Sequence, residues 1–252
     1  MINSRRSAAL KKLLFLMSVL LVLPYLLGSI AFLDKSGNGA GPATSVTIQI
    51  TNSADVVCNV FTVGANDVTA GDRNVSTLKV AGTNASRNVV VDDGTSKAGY
   101  SYILFNPPLG SNNVVLAMGG TCSGFAIVAS SYSGVDTNGI GATNGVVLAT
   151  TTVPTISTTT TVANAYIVDG LTKFLTTGTV TPFSAQTLLL SSAIGASHWQ
   201  AASYLPTTTS GSYTNGYTNS LTSPCILTSV ELKPTAAGIQ QQGSWFMEGI
   251  GQ

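Results

Sequence analysis

The chain has 252 residues, of which 8% are charged and 44% are hydrophobic. Ordinary soluble domains have about 25% charged residues, so Gly, Ser, Thr and Asn must form most of this surface, and the apolar content excludes a disordered chain. After the amino-terminal segment, seven scattered basic residues accompany ten acidic ones, a net charge of −3. The sequence therefore lacks the basic stripe that nucleic-acid binding requires.

Residues 1–33 combine a basic stretch with an apolar segment. The apolar part, Leu13 to Leu33, has 21 residues without a charge, and as a helix it would span about 31 Å, close to the thickness of the bilayer core. This predicts one amino-terminal hydrophobic helix that anchors the chain in a membrane. The preceding Arg and Lys residues predict that the remainder lies outside the cytoplasm. The anchor residues are Leu13, Leu20, Leu23, Leu27 and Phe32.

A cleaved signal peptide is the alternative interpretation of the same segment. Ser29-Ile30-Ala31 fits the small-x-small pattern of signal peptidase, which would cut before Phe32. The apolar run is longer than the 7–15 residues typical of a signal peptide, which favours the retained anchor. Both interpretations place the domain outside the cytoplasm.

Residues 34–44 are rich in Gly and polar residues and predict a flexible linker. Residues 45–234 then alternate strand-like runs with turn signals such as "DDGT" and "NPPLGSNN". About thirteen short strands with this punctuation predict an all-β domain, a two-layer antiparallel β-sandwich. The Thr-rich stretch 150–161 favours an edge strand or a long crossover over a domain linker, and no internal sequence repeat is evident.

The last residues, 235–252, form a carboxy-terminal tail. Its only candidates for docking are Trp245, Phe246 and Met247. Such a tail packs back on the domain or contacts a neighbouring subunit.

The three cysteines, Cys58, Cys122 and Cys225, are far apart and have no CxxC spacing or nearby histidine. This excludes a zinc site. Two interpretations stay open: one disulfide with one free thiol, or three buried small apolar side chains.

Enzymatic chemistry finds little support. The sequence has one histidine, His198, and no G-x-S-x-G motif that would supply a nucleophilic serine beside it. A lone histidine in a strand is usually structural. Asp92 and Asp93 precede Gly94 and fit a turn better than a glycosidase pair. We therefore expect no enzymatic activity and no cofactor.

Calcium binding has one weak candidate. Asp67, Asp72 and Asn74 form the best cluster of loop oxygens, followed by Asp92 and Asp93. Neither group has the spacing of a calcium loop, so solvated turns are the favoured interpretation.

Tyr213, Asn215 and Tyr217, together with Trp199, form the best candidate for glycan binding. Even spacing places Tyr213 and Tyr217 on one face of a strand, where the rings would stack on a sugar. Core or cross-strand packing is the favoured interpretation of the same spacing.

Three segments taken together resemble a known group of domains. They are "YSYILFNPPLGSNNVVLAM", "GFAIVASSYSGVD" and "CILTSVELKP". Their order and turns resemble jelly-roll, concanavalin-like sandwich domains of secreted bacterial and phage virion proteins, through Pro107, Pro108 and Gly110, Tyr132 to Asp136, and Leu232 to Pro234. The resemblance covers residues 45–234 and implies a jelly-roll fold and an extracytoplasmic location, but no common activity.

We therefore expect a non-enzymatic structural or adhesive protein of the cell surface or a virion, attached to a membrane by its amino-terminal helix. One alternative is a subunit of a larger assembly, a membrane-containing virion or a surface filament, with copies of itself or other surface proteins as partners. Another is a carbohydrate-binding module.

Overall fold

The computed structural model describes residues 29–175, 177–194 and 198–236. Within these residues lie seventeen β-strands and one short helix, α1 (Ala70–Arg73). The strands of the first half are β1 (Ala31–Ala40), β2 (Ala43–Asn52), β3 (Cys58–Asn66), β4 (Val75–Val80), β5 (Thr83–Asn84), β6 (Ser86–Asp92), β7 (Lys97–Phe105), β8 (Gly110–Cys122) and β9 (Gly124–Ser133). Those of the second half are β10 (Thr143–Thr151), β11 (Thr155–Thr160), β12 (Tyr166–Lys173), β13 (Val180–Pro182), β14 (Thr187–Ile194), β15 (His198–Pro206), β16 (Gly211–Asn219) and β17 (Ser223–Leu232).

The strands form four sheets, and neighbouring strands in each are antiparallel. The first inner sheet has the order β1-β9-β3-β7-β6, and the first outer sheet has the order β2-β8-β4-β5. The second inner sheet has the order β10-β17-β12-β15-β14, and the second outer sheet has the order β11-β16-β13. The predicted all-β class is confirmed. Within the described residues the strands form four sheets, however, where two layers were predicted.

Three hydrophobic cores lie between these sheets. Phe61 and Phe125 belong to the core between the first outer and first inner sheets. Val128 and Val168 belong to the core between the two inner sheets, and Leu171 belongs to the core beneath the second outer sheet. The inner sheets are thus covered on both faces. This explains the unbroken apolar run of β9, whose successive side chains enter different cores.

The two halves of the chain repeat one topology. Replacing β1, β9, β3, β7 and β6 by β10, β17, β12, β15 and β14 converts the first inner sheet into the second, with chain order preserved. The outer sheets correspond in the same way, except that β5 has no counterpart. A β-bulge also recurs, at Asn88 in β6 and at Leu189 in β14, opposite equivalent positions of the neighbouring strand.

Contacts across the centre of the molecule follow the same symmetry. The inner sheets face each other with β3 opposite β12, β1 opposite β14 and β6 opposite β10. Gly37 of β1 lies against Leu190 of β14, and the equivalent Gly145 of β10 lies against Val89 of β6. An approximate two-fold axis parallel to the strands therefore relates the halves. The sequence shows no such repeat because the equivalent positions rarely hold the same residue.

The predicted linker and anchor need correction at their shared boundary. Residues 31–40 form β1, which pairs with β9 over its whole length, so residues 34–40 are not a spacer. Phe32 belongs to this strand and stacks on Tyr204, with 5.7 Å between ring centroids, so it is not a residue of an anchoring helix. Its ring completes an aromatic cluster with Tyr132, Tyr166 and Tyr204. Leu13, Leu20, Leu23 and Leu27 lie outside the described residues.

The two ends of the unit 29–234 lie side by side. The Ser29 backbone is in contact with Gly134, and Pro234 pairs with Val135. No helix in the described ranges is long and apolar enough to cross a membrane. Trp245, Phe246 and Met247 lie outside those ranges. Thr155–Thr160 form β11, an edge strand of the second outer sheet, as expected for the Thr-rich stretch.

Candidate functional site

The predicted tyrosine segment forms β16, the central strand of the second outer sheet. Tyr213, Asn215 and Tyr217 share one face, as their spacing predicts, but that face points into the molecule. Tyr217 and Asn215 are fully buried. The Tyr213 hydroxyl donates to the Thr209 carbonyl at 2.8 Å. The prediction that these side chains form an open aromatic platform is therefore wrong, because a sugar cannot reach Tyr217.

Tyr217 and Asn215 instead bind a buried carboxylate that sequence reasoning missed. Asp169 lies in β12 with no exposed surface. It accepts hydrogen bonds from the Tyr217 and Ser203 hydroxyls and from the Asn215 and Gln186 amides. The Ser203 and Gln186 bonds measure 2.7 and 2.8 Å. No sequence pattern indicates this site, because its donors come from three separate segments: β15, β16 and the loop before β14.

The environment of Asp169 favours its neutral form. Burial raises the pKa of Asp169 to about 6, although the hydrogen bonds from Tyr217, Ser203 and Asn215 oppose the rise. No described cation pairs with this carboxylate. In the first half the equivalent position holds Phe61, which is apolar and fully buried. The core beneath the second outer sheet thus contains a polar cluster at a position that is apolar in the first half.

The Trp199 side chain does not form part of an open binding surface either. Its indole nitrogen donates to the Ser191 hydroxyl at 2.7 Å, and its ring packs on the core beneath the second outer sheet. The Lys173 ammonium lies 5.9 Å from the ring centroid and donates to the Thr177 carbonyl. Burial lowers the pKa of Lys173. These contacts stabilise one end of β12.

His198 is structural. It is fully buried, and its ring lies 6.1 Å from that of Phe174 between centroids. Burial lowers the pKa of His198 to about 4, while a hydrogen bond with the Gly124 backbone opposes this shift. The imidazole is therefore uncharged at neutral pH.

Three of the carboxylates considered for calcium, those of Asp67, Asp92 and Asp93, accept hydrogen bonds from protein donors. Asp67 accepts from the Ser123 hydroxyl at 2.6 Å and from two backbone N–H groups. Asp92 pairs with Arg73 through two bonds, 2.7 and 2.9 Å long. Asp93 accepts from three backbone N–H groups of its own turn. The hydrogen bonds lower the pKa of each carboxyl, and these residues hold their loops in shape.

Glu231 plays a similar part at the other end of the molecule. It is fully buried and accepts from the backbone N–H groups of Ala142, Thr161 and Val162. The carboxylate thus joins the loop between the halves to the β11–β12 loop. It is placed to organise backbone, with no surface open to a substrate.

The three cysteines are all free and buried. This decides the question left open by the sequence in favour of three small buried side chains. Burial raises the pKa of Cys58, of Cys122 and of Cys225, the last to about 11. The thiols are therefore protonated at neutral pH.

One cleft opens at the edge of the first half, between β4 of the outer sheet and β6 of the inner sheet. Its volume is about 340 Å³. It is lined by Val75, Ser76, Thr77, Leu78, Asn84, Ala85, Arg87 and Tyr102. Arg87 lies directly opposite Tyr102 in the strand pairing. No sequence pattern indicates this cleft, since distant segments form its walls and β5, which has no counterpart in the second half, supplies part of them.

Comparison with known proteins gives no relative: neither the models of known protein families nor the curated proteins contain a match to this chain.

Proposed function

We propose that the chain is a non-enzymatic structural or adhesive protein of the cell surface or a virion, built from two jelly rolls packed through their inner sheets. The strand order supports the fold assignment. In a jelly roll one sheet contains strands one, eight, three and six, and the other contains two, seven, four and five. The first half has this order when β6 is counted as an added strand. Jelly rolls are typical of viral capsid and lectin domains.

The observation that carries the structural role is the burial of the central strands of both inner sheets on both faces. Six strands are committed to internal packing, namely β3, β7, β9, β12, β15 and β17, while the edge strands, the outer sheets and the loops meet solvent. Buried titratable groups such as Asp169 and Glu231 hold strands and loops together. Such a rigid body suits a building block or a display platform.

Membrane attachment is proposed from the sequence of residues 13–28, an apolar run without a charge that follows a basic stretch. This run is the proposed tether. Ser29 and Pro234 lie at the same end of the unit 29–234.

Fractionation of the native source tests this proposal. We expect the protein in the membrane or particle fraction, with a mature chain that retains residues before Ser29. Electron microscopy of the same fraction separates isolated anchored molecules from a lattice, filament or virion. Recovery from the soluble cytoplasm, with cytoplasmic labelling of the folded domain, would contradict the proposal.

A further inference from the structure

We propose that the cleft between β4 and β6 binds a carboxylate-bearing sugar, with Arg87 as the residue that pairs with the carboxylate. This site does not depend on the proposed structural role. It would add a recognition function to the first half alone, because the second half lacks β5 and has Leu188 at the position equivalent to Arg87.

The charge of the cleft favours an anion. Arg87 is exposed and makes no ion pair with any described residue. The Arg87 guanidinium donates a hydrogen bond to the Tyr102 hydroxyl, which lies in the wall of the same cleft. The acid on the same strand, Asp92, lies at its far end and is already paired with Arg73. The remaining N–H groups of a guanidinium without a counter-ion match a carboxylate through charge-assisted hydrogen bonds.

The walls of the cleft favour a ligand with many hydroxyl groups. Thr77 and Asn84 supply a hydroxyl and an amide at its rim, while Val75 and Leu78 supply apolar surface. The Ser76 hydroxyl donates to the Ala117 and Met118 carbonyls of β8, so toward a ligand it can act as an acceptor. This combination matches a sugar, which has polar edges and apolar faces. The volume of about 340 Å³ lies at the lower end of the range for small-molecule sites, and suits a monosaccharide unit.

Both walls carry irregular strand geometry. Ser76 is the extra residue of a bulge in the β4–β8 pairing. Asn88, next to Arg87, is the extra residue of the bulge in β6. Bulges redirect side chains at sheet edges and are frequent beside binding sites. The β6 bulge recurs in β14 and is therefore a feature that both halves share, whereas the Ser76 bulge lies in the wall of the cleft.

Ligand-observed saturation-transfer NMR of the full-length chain in detergent tests the site, with glucuronate as the probe, and with glucose and inorganic phosphate as comparisons. We expect saturable glucuronate binding that is tighter than that of either comparison. Arg87→Gln should weaken it about tenfold, as expected for the loss of a charge-assisted contact. Lys35→Gln removes an exposed cation at the opposite edge of the same sheet and should leave binding unchanged.

Any one of three results would overturn the proposal. The first is the absence of a saturable glucuronate signal, and the second is equal glucuronate binding by the wild type and Arg87→Gln. The third is phosphate binding as tight as glucuronate binding, which would indicate a site for anions in general. Arg87 is exposed, so its variant should unfold at the wild-type temperature. If it does not, Asn84→Ala at the exposed rim replaces it, and unchanged glucuronate binding by that variant overturns the proposal.

Discussion

Gly64 and Thr172 lie in contact across the interface between the two inner sheets, so that a Cβ atom at position 64 would overlap the Thr172 side chain. The same relationship recurs in reverse between Gly170 and Thr62, where the added Cβ would stand 2.5 Å from the Thr62 Cβ. β3 and β12 thus interlock through two glycine–threonine pairs. The close approach of the halves depends on the absence of side chains at both glycines.

Gly170→Ala should therefore weaken the packing of the two halves. The added methyl group forces apart two buried strands, which we expect to lower the free energy of unfolding by about 1–3 kcal/mol. Urea denaturation measures the change. Gly71→Ala is the control, because no atom lies within 4 Å of its added Cβ. Equal stability of the Gly170 and Gly71 variants would show that the inner sheets are not closely packed at this point.

Asp169 should make stability fall as the pH rises. Its pKa is about 6 in the folded chain and about 3.9 in an unfolded one. The unfolded chain therefore ionises first, and the folded state loses stability between about pH 4 and pH 6, on the order of 3 kcal/mol in total. The loss of stability is complete once the pH exceeds the pKa of Asp169 in the folded chain.

Asp169→Asn isolates this effect, since Asp67, Asp92 and Asp93 have lowered pKa values and act in the opposite direction, at lower pH. The difference in unfolding free energy between wild type and variant, measured by urea denaturation at several pH values from 4 to 7, should change in favour of the variant as the pH rises. A pH-independent difference would mean that Asp169 has the same pKa in the folded and unfolded chains, which would contradict the effect of its burial.

The tyrosines of β16 should respond unequally to loss of their hydroxyls. Tyr217→Phe removes a donor to the buried Asp169 carboxylate, and we expect a loss of about 1–3 kcal/mol in the free energy of unfolding. Tyr213→Phe removes a partly exposed bond to Thr209 and should cost less than about 0.5 kcal/mol. Thermal or urea unfolding compares the two. A larger effect at Tyr213 would contradict the inward orientation of Tyr217.

The sequence predicted well which segments form strands and which side chains share a face of a strand. It predicted poorly which distant segments pack against each other. Strand-like runs and turn signals indicated an all-β domain, and the even spacing of Tyr213 and Tyr217 placed them on one side. Alternation does not say which side another sheet covers, so the inward orientation of Tyr217 was missed. β1 resembled a spacer because its strand character comes from pairing with β9, about a hundred residues away in the chain. Asp169 and the Arg87 cleft likewise depend on contacts between distant segments.

The two salt bridges near the β6–β7 turn, Arg73–Asp92 and Lys97–Asp93, should differ in their contribution to stability. Arg73 has 3% of its side chain exposed and Asp92 32%, so Asp92→Asn leaves a buried guanidinium without its counter-ion. We expect a loss of about 3–5 kcal/mol in the free energy of unfolding, as for other broken buried pairs. Lys97→Ala breaks the longer pair with Asp93, 3.4 Å, whose cation is 22% exposed, and leaves Asp93 with three backbone N–H donors. It should cost at most about 1 kcal/mol. Similar losses in both variants, measured by urea denaturation, would contradict the burial of Arg73.

The cysteines should behave as unreactive core residues. All three thiols are free and buried, and burial raises each pKa. Because the thiolate is the reactive form, we expect negligible labelling by iodoacetamide in the native protein at pH 8. In denaturant without a reducing agent, all three should label. Mass spectrometry counts the labels. One label instead of three in denaturant would reveal a disulfide, and rapid labelling of the native chain would show that a thiol is exposed.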